Sequence, residues 1–283
     1  LTGFDYNKHL FLEEAFISPA SRSLSAIKLS RTINALKKAG TQAIVLDLGG
    51  GVGFYTAGIS HALPENFIIN LDLSPRALSY SGKKDSSLFL VCADAESLPF
   101  ADNSIDAILG LDILEHIENV DNVFLEVYRV LKTNGVAHFH IPCEGQPGTL
   151  WWLLWKLRLP AGELKSKYAG HVHRFTHKGI VKKIGEHGFD MVRLRYSVHL
   201  VGQVLDFLQW TAASLRRDLS FEETADEESN GVKKYGPAGL RWRFIFGVYR
   251  FIVRFLDVVS YYETKLLGRI GLAMAVDISF RKR

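Results

Sequence analysis

Hydrophobic positions fall into short apolar runs separated by amphipathic stretches, in a regular alternation as far as Pro142. Residues 20–39 set Leu24, Ile27, Leu29, Ile33 and Leu36 broadly on one side, which predicts a helix stopped by Gly40. "AIVLDL" (43–48) is a continuous apolar run of the kind that forms a strand covered on both faces. A glycine-rich stretch follows, then a helix to about Ala62. "NFIINLDL" (66–73) predicts a second strand; Ser74 can cap the next helix, with Pro75 in its first turn. "SLFLVCAD" (87–94) and "IDAILGLD" (105–112) predict the third and fourth strands. A helix runs through about Leu131, "NG" at 134–135 predicts a turn, and "VAHFHIP" (136–142) predicts a fifth strand. Strands and helices alternating over short connections imply a parallel sheet covered on both faces. Right-handed crossovers make it doubly wound, with ligands at the carboxyl ends of the strands.

After Pro142 the rhythm breaks. A Trp-rich segment, "TLWWLLWKLRLP" (149–160), leads to a loop, a helix (176–187) and a strand (189–196). A long, largely helical stretch follows, interrupted by an acidic segment (218–230) that reads as a loop. "GLAMAVDISFRKR" (271–283) reads as a last strand. No internal repeats are visible.

Length and composition fit one large domain with an insertion: 283 residues, 47% hydrophobic and 23% charged. Net charge is +4, unevenly spread. Residues 231–283 hold eleven Lys/Arg against three Asp/Glu, a surplus of eight, so the rest sums to −4. A basic tail on an acidic body suggests an anionic partner such as a membrane surface. The competing reading is a solvated helix face. Cys92 and Cys143 each sit in or beside an apolar run and read as buried thiols, which fits a cytoplasmic location. No signal peptide pattern is visible. The longest apolar segment, 243–262, carries Arg250, Arg254 and Asp257 in its middle, a costly arrangement for a membrane span.

The chemistry starts at "VLDLGGGVGFYT" (45–56). A dinucleotide fingerprint needs G-x-G-x-x-G, but its third glycine falls on Phe54 or Thr56. No Lys-Ser/Thr pair follows to make a P-loop. What remains is Asp47, Gly49, Gly51 and Gly53 as D-x-G-x-G-x-G. Further segments stand in order behind it: "INLDLSP", "CADAESLPFADNSIDAILGLDILEHIEN", "VLKTNGVAHFHIP" and "GHVHRFT". On these motifs, over roughly residues 42–197, the chain resembles the class I S-adenosylmethionine-dependent methyltransferases, in the group related to quinone and small-molecule methylases.

That resemblance implies a seven-stranded, Rossmann-like α/β sheet with a helical insertion before its last strand. The chain then divides into an N-terminal helical segment (1–41), a catalytic core (42–197), an insertion (198–270) and a final core strand (271–283). It implies S-adenosylmethionine as cofactor. Gly49, Gly51 and Gly53 would admit the methionine part, with Asp47 near its amino group. Asp72 would take the ribose hydroxyls, and Asp94 with the Ala95 amide the adenine edge. Leu73 and Leu111 would sandwich the base. Asp72 and Asp94 have an alternative reading as helix caps.

Methyl transfer to a hydroxyl benefits from a base, and histidine suits neutral pH. "GHVHRFT" follows the Trp-rich segment in a loop that, by the resemblance, faces the acceptor, so His171 comes first and His173 second. His138 and His140 share one face of the fifth strand, with His140 nearer the site; both also read as hydrogen-bonded core histidines. His116 reads as architectural, and Glu144 is a further base candidate. His171, His173 and His177 do not make a metal site by this reading, since no Cys or carboxylate completes one.

The acceptor is expected to be small, apolar or lipid-linked, with oxygen as the methylated atom before carbon. Residues 240–262 wrap apolar side chains around a stripe of Arg243, Gly247, Arg250, Arg254, Asp257 and Tyr261. Such a helix suits either a lid or a membrane interface, with "WWLLW" (151–155) as a second contact. The rivals are a non-catalytic binding or assembly subunit and a nucleic-acid methyltransferase. Against the latter, the basic residues interleave with apolar ones and no RNA-binding module is appended, so no nucleic-acid partner is expected.

Overall fold

The computed structural model describes residues 19–227 and 239–283. Seven strands form one sheet: β1 (Ile44–Leu48), β2 (Phe67–Asp72), β3 (Phe89–Cys92), β4 (Ile105–Leu111), β5 (Leu131–Pro142), β6 (Phe189–Ser197) and β7 (Ala275–Lys282). Their order is β3-β2-β1-β4-β5-β7-β6. The first five are parallel, and β7 runs antiparallel between β5 and β6.

Alternation along the strands sorts side chains to the two faces. Val45, Ala107, Leu109 and Val136 face one way and meet Leu29, Ile33 and Leu36 of α1 (Leu24–Leu36) and Ile59 of α2 (Thr56–Ala62). Leu46, Leu48, Ile108, Phe139 and Ile278 face the other. They meet α4 (Val120–Val130) and α7 (His177–Glu186) through Val123, Phe124, Val127, Ile180 and Ile184. The helix α3 (Pro75–Lys84) follows β2 and is capped by Ser74, whose Oγ accepts from the Ala77 amide. Two short helices, α5 (Leu150–Lys156) and α6 (Leu164–Ala169), fill the segment after β5. The insertion before β7 is a helical pair, α8 (Leu200–Glu227) and α9 (Gly239–Leu267), and α9 packs on α1 as well as α8.

Several expectations are corrected. β5 starts at Leu131, not at residue 136; the "NG" pair lies inside a bulge between Leu131, opposite Ile105, and Val136, opposite Ala107. Asn134 there takes φ +66°, a conformation Asn tolerates. Cys92 is exposed because β3 is the sheet's edge strand; Cys143 is buried. The expected acidic loop (218–230) is helical as far as Glu227, in keeping with its Glu and Ala content; 228–230 lie outside the described residues. Trp151 is buried, its Nε1 donating to Asp206 at 2.7 Å, so only the outer part of "WWLLW" faces outward.

Phe124 is fully buried and packs on Phe139, Phe189 and Phe280, with ring centroids 6.1, 6.5 and 6.2 Å away. Phe124→Ala should cost about 3–5 kcal/mol in urea unfolding. The adjacent, exposed Leu125→Ala should stay within about 0.5 kcal/mol. Equal effects would contradict this assignment of the core.

Candidate active site

The glycine loop leaves the carboxyl end of β1 and bounds a cavity of about 460 Å³. Gly49 and Gly51 take φ +69° and +54°, where an L side chain is strained. A Cβ on Gly49 would stand 2.5 Å from Ile113, whereas one on Gly51 would meet only Asp72, at 3.9 Å. Gly51 therefore keeps the backbone open to the cavity. Gly53 does a different job: it abuts Ser81 of α3 and does not line the cavity.

Asp72, at the end of β2, accepts from the Gly51 amide with Oδ2 (3.0 Å) and from the Ser74 amide with Oδ1 (2.8 Å). Each oxygen retains acceptor capacity toward the cavity it lines. Burial pushes its pKa up, while the two amides pull it down. Leu73, 52% exposed, lines the same wall, as do Asp94 and Ala95. Asp94 Oδ1 also accepts from the Glu96 amide at 2.9 Å.

Two expected cofactor contacts move. Leu111 packs in the core against the α1 side of the sheet; Ile113, past the strand end, stands at the cavity instead. Strand alternation turned Leu111 inward. Asp47 is buried beneath the loop, its Oδ2 accepting from Thr56 Oγ1 at 2.6 Å, and it does not line the cavity. Burial pushes its carboxyl up to about 7.

Asp112, at φ +55°, pairs with Lys28 of α1 and stands 3.6 Å from His140 Nε2. On its other side His140 Nδ1 meets buried Asp277 of β7 at 2.7 Å. Asp277 also binds Arg31 and accepts from Ser197 Oγ at 3.2 Å. Burial would raise the Asp277 carboxyl, but His140 and Arg31 hold it well below the usual range. His140, expected as a candidate base, is instead buried between two carboxylates and away from the cavity lining. Neighbouring His138 bonds Ser279 Oγ at 2.9 Å.

His116 lies in a short 3-10 turn after β4. It lines the cavity, and burial together with His171 lowers it to about 4, so it is neutral at pH 7. The His171 ring packs edge-on against it at 4.8 Å. His171 Nδ1 bonds Glu144 Oε1 (2.8 Å), and Lys165 of α6 lies 3.2 Å from Glu144 and 2.8 Å from Asp206 of α8. Burial would raise Glu144, but Lys165 and His171 outweigh it and hold it at about 2. His171 therefore stands behind His116 rather than in the cavity wall. His173 is tied away: its Nε2 lies 2.8 Å from the Ile117 carbonyl and its ring packs on Phe175. His177 lies in α7 beside Tyr196.

Sequence reasoning missed Lys28, Asp112, Glu115, Lys165 and Asp206. Glu115 is 1% exposed, and neither carboxyl oxygen meets a hydrogen-bond partner among the described residues. Burial first, then Asp112 and Glu144, push its pKa well up. Glu115, His116 and His171 bring ligand atoms within 4.8 Å of one another, supplying the carboxylate that the histidine-only set lacked. That spread is wider than the ~3.4 Å edge set by ~2.1 Å bonds at tetrahedral angles.

Residues 46–139 match the family model described as "Methyltransferase domain". Over 105 residues the chain is 36% identical to malonyl-(acyl-carrier protein) O-methyltransferase of Marinomonas sp., covering 36% of this chain and 39% of that protein. It is also 36% identical over 96 residues to 2-methyl-6-phytyl-1,4-hydroquinone methyltransferase 2, chloroplastic, of Oryza sativa, covering 33% and 27%. The matched part thus spans two fifths or less of these curated relatives. Geranyl diphosphate C-methyltransferase from Streptomyces coelicolor aligns over 92% of this chain and 80% of its own, with TM-score 0.57 and 12% identity. The cyclase SpnF aligns over 94% and 84%, with TM-score 0.55 and 16% identity. Those two likenesses show the fold alone. The chain carries a class I S-adenosylmethionine-dependent methyltransferase domain, and S-adenosylmethionine is the cofactor of that class. The open Gly51 backbone and the unspent acceptor capacity of Asp72 fit it.

Asp72→Ala should weaken S-adenosylmethionine by about 1.5–3 kcal/mol, the range for hydrogen bonds to a charged group, measured by titration calorimetry. Unchanged affinity would remove Asp72 from the cofactor site.

Proposed function

We propose that this chain moves a methyl group from S-adenosylmethionine to a hydroxyl oxygen of a small acceptor with an apolar body. The observation that carries this reading is His116: a neutral imidazole at the cavity wall, backed by the His171–Glu144–Lys165 chain. The bound cofactor supplies an activated methyl group with a neutral leaving group. The protein's work is to align the acceptor, exclude water and receive one proton.

Asp72 and Asp94 hold the nucleoside end in this reading, and Gly49–Gly51 let the methionine end lie against backbone. Ile113, Ile117 and Ala169 give the wall near His116 an apolar character that suits a greasy acceptor. His116 is the one imidazole among the described lining residues, and its ring accepts the hydroxyl proton. His171 positions that ring by edge-on packing while Glu144 fixes His171. This departs from the expectation that His171 or His173 is the base. A carboxyl acceptor, as named for the Marinomonas relative, would need no base, and Asp72, Asp94 and Asp112 around the cavity disfavour an anion.

Methyl-labelled S-adenosylmethionine, incubated with the protein and a cell extract of its source, should label a product that enters the organic phase. The label should survive mild alkali. Release as methanol would mean a methyl ester and contradict the hydroxyl reading; label confined to the aqueous phase would contradict the apolar acceptor.

His116→Ala should lower kcat about a hundredfold with cofactor affinity unchanged. The wild-type rate should stay level from pH 8 down to about 5, because His116 is neutral there. It should fall as His116 takes up a proton near pH 4. A rate that halves near pH 6.5 would assign the base to a different, unperturbed histidine.

A further inference from the structure

A second concavity, of about 690 Å³, opens between α1, β6 and the last turn of α9, apart from the cofactor cavity. Arg31, Arg193, Arg195, Lys265 and Arg269 line it. Arg31 is already committed to Asp277. For Arg193, Arg195, Lys265 and Arg269 no carboxylate partner is found among the described residues. Arg195 donates to the Leu194 carbonyl at 2.9 Å, and Lys265 sits 4.6 Å over the Tyr261 ring. Burial and the neighbouring Arg193, Arg269 and Arg31 lower the Arg195 pKa, the mark of crowded like charges. Thr264 is fully buried at the same wall, and its Oγ1 has no hydrogen-bond partner. Four cations crowded around one concavity without carboxylate partners among the described residues describe a place for phosphate oxygens.

The outward face of α9 begins at the rim of this concavity. Val248, Phe251, Phe255, Val258, Tyr262 and Leu266 recur at helical spacing and are exposed, Phe251 by 72% and Leu266 by 83%. Ser260 and Thr264 point to the body of the protein, and Asp257 accepts from the Leu24 amide at 2.9 Å. The helix therefore turns Asp257, Ser260 and Thr264 inward and its apolar ridge outward, while Arg250 and Arg254 are exposed. None of its described residues lines the cofactor cavity.

We propose that the apolar ridge of α9 and the arginine concavity beside it form one docking surface for an anionic membrane. Lipid phosphates sit among Arg193, Arg195, Lys265 and Arg269, and Phe251, Phe255 and Leu266 enter the acyl boundary. Charge and apolar area then act together, as an interfacial helix requires. The surface stands on its own geometry and does not depend on the methyl acceptor. It would hold the enzyme at the phase where an apolar acceptor resides.

The test is co-sedimentation of the full chain with vesicles, without any methyl-transfer readout. Vesicles of phosphatidylcholine with one-third phosphatidylglycerol should carry the protein down; pure phosphatidylcholine should not, and high salt should release it. Arg193→Glu combined with Arg269→Glu, both at exposed positions, should weaken binding about tenfold or more. Phe251→Ser with Phe255→Ser should do the same while keeping the wild-type circular dichroism. Absence of binding to the anionic vesicles overturns the proposal. So does equal binding to both kinds of vesicle. Light scattering that shows a dimer abolished by the Phe251/Phe255 pair would assign the ridge to a second copy instead. Binding of inorganic pyrophosphate with no vesicle binding would make the concavity a free-anion site and also overturn it.

Discussion

Asp277 is the group on which α1, the far strands of the sheet and the line of contacts to the cavity converge. It lies in the last strand, out of contact with water, and binds Arg31 of the first helix, His140 of β5 and Ser197 of β6. A buried carboxylate is tolerated only where partners replace its hydration. Here those partners are the pieces that must come together for the sheet to close: α1 on one face and β5, β7 and β6 in register. His140 carries the chain on to Asp112, and Asp112 to Lys28, so a line of polar contacts runs from the far strands to the cavity wall. Breaking one link leaves the next charge buried and unpaired, which is the costly case.

Against that frame the cofactor site needs little apparatus. Backbone approaches closely at Gly51, and Asp72 is fixed by two amides with capacity to spare. The wall around His116 is the more elaborate part. A neutral histidine faces the cavity, and the buried ionic groups Glu144, Lys165 and Asp206 stand one layer back. His171 joins the two layers, hydrogen-bonded to Glu144 and packed edge-on against His116.

Much of this could be read from the chain. Continuous apolar runs and glycine placement identified the strands from β1 to β5, because buried parallel strands leave an unambiguous pattern. Asp72 and Asp94, named through the resemblance, both line the cavity at the carboxyl edge of the sheet, where such folds bind ligands. Leu111 keeps the face of Ala107 and Leu109, and Ile113, two residues on, reaches the cavity because the strand ends and Asp112 between them takes φ +55°. His171 and His116 exchanged prominence because a loop sequence does not say which of two histidines faces outward. Lys28, Lys165 and Asp206 left no local signal: each sits on a helix whose pattern is complete without it, and its meaning comes from residues far along the chain. The outward ridge of α9 was visible as an apolar face, but its direction depended on Ser260, Thr264 and Asp257 turning inward.

In this reading the cavity at the ends of β1, β2 and β4 holds the cofactor in one orientation. A crystal structure with S-adenosylhomocysteine tests it most directly. The ribose hydroxyls should lie on Asp72, the adenine between Leu73 and Ile113 with its edge at Asp94, and the sulfur end should be directed toward His116. A ligand bound elsewhere, or reversed so that the adenine meets His116, would contradict it.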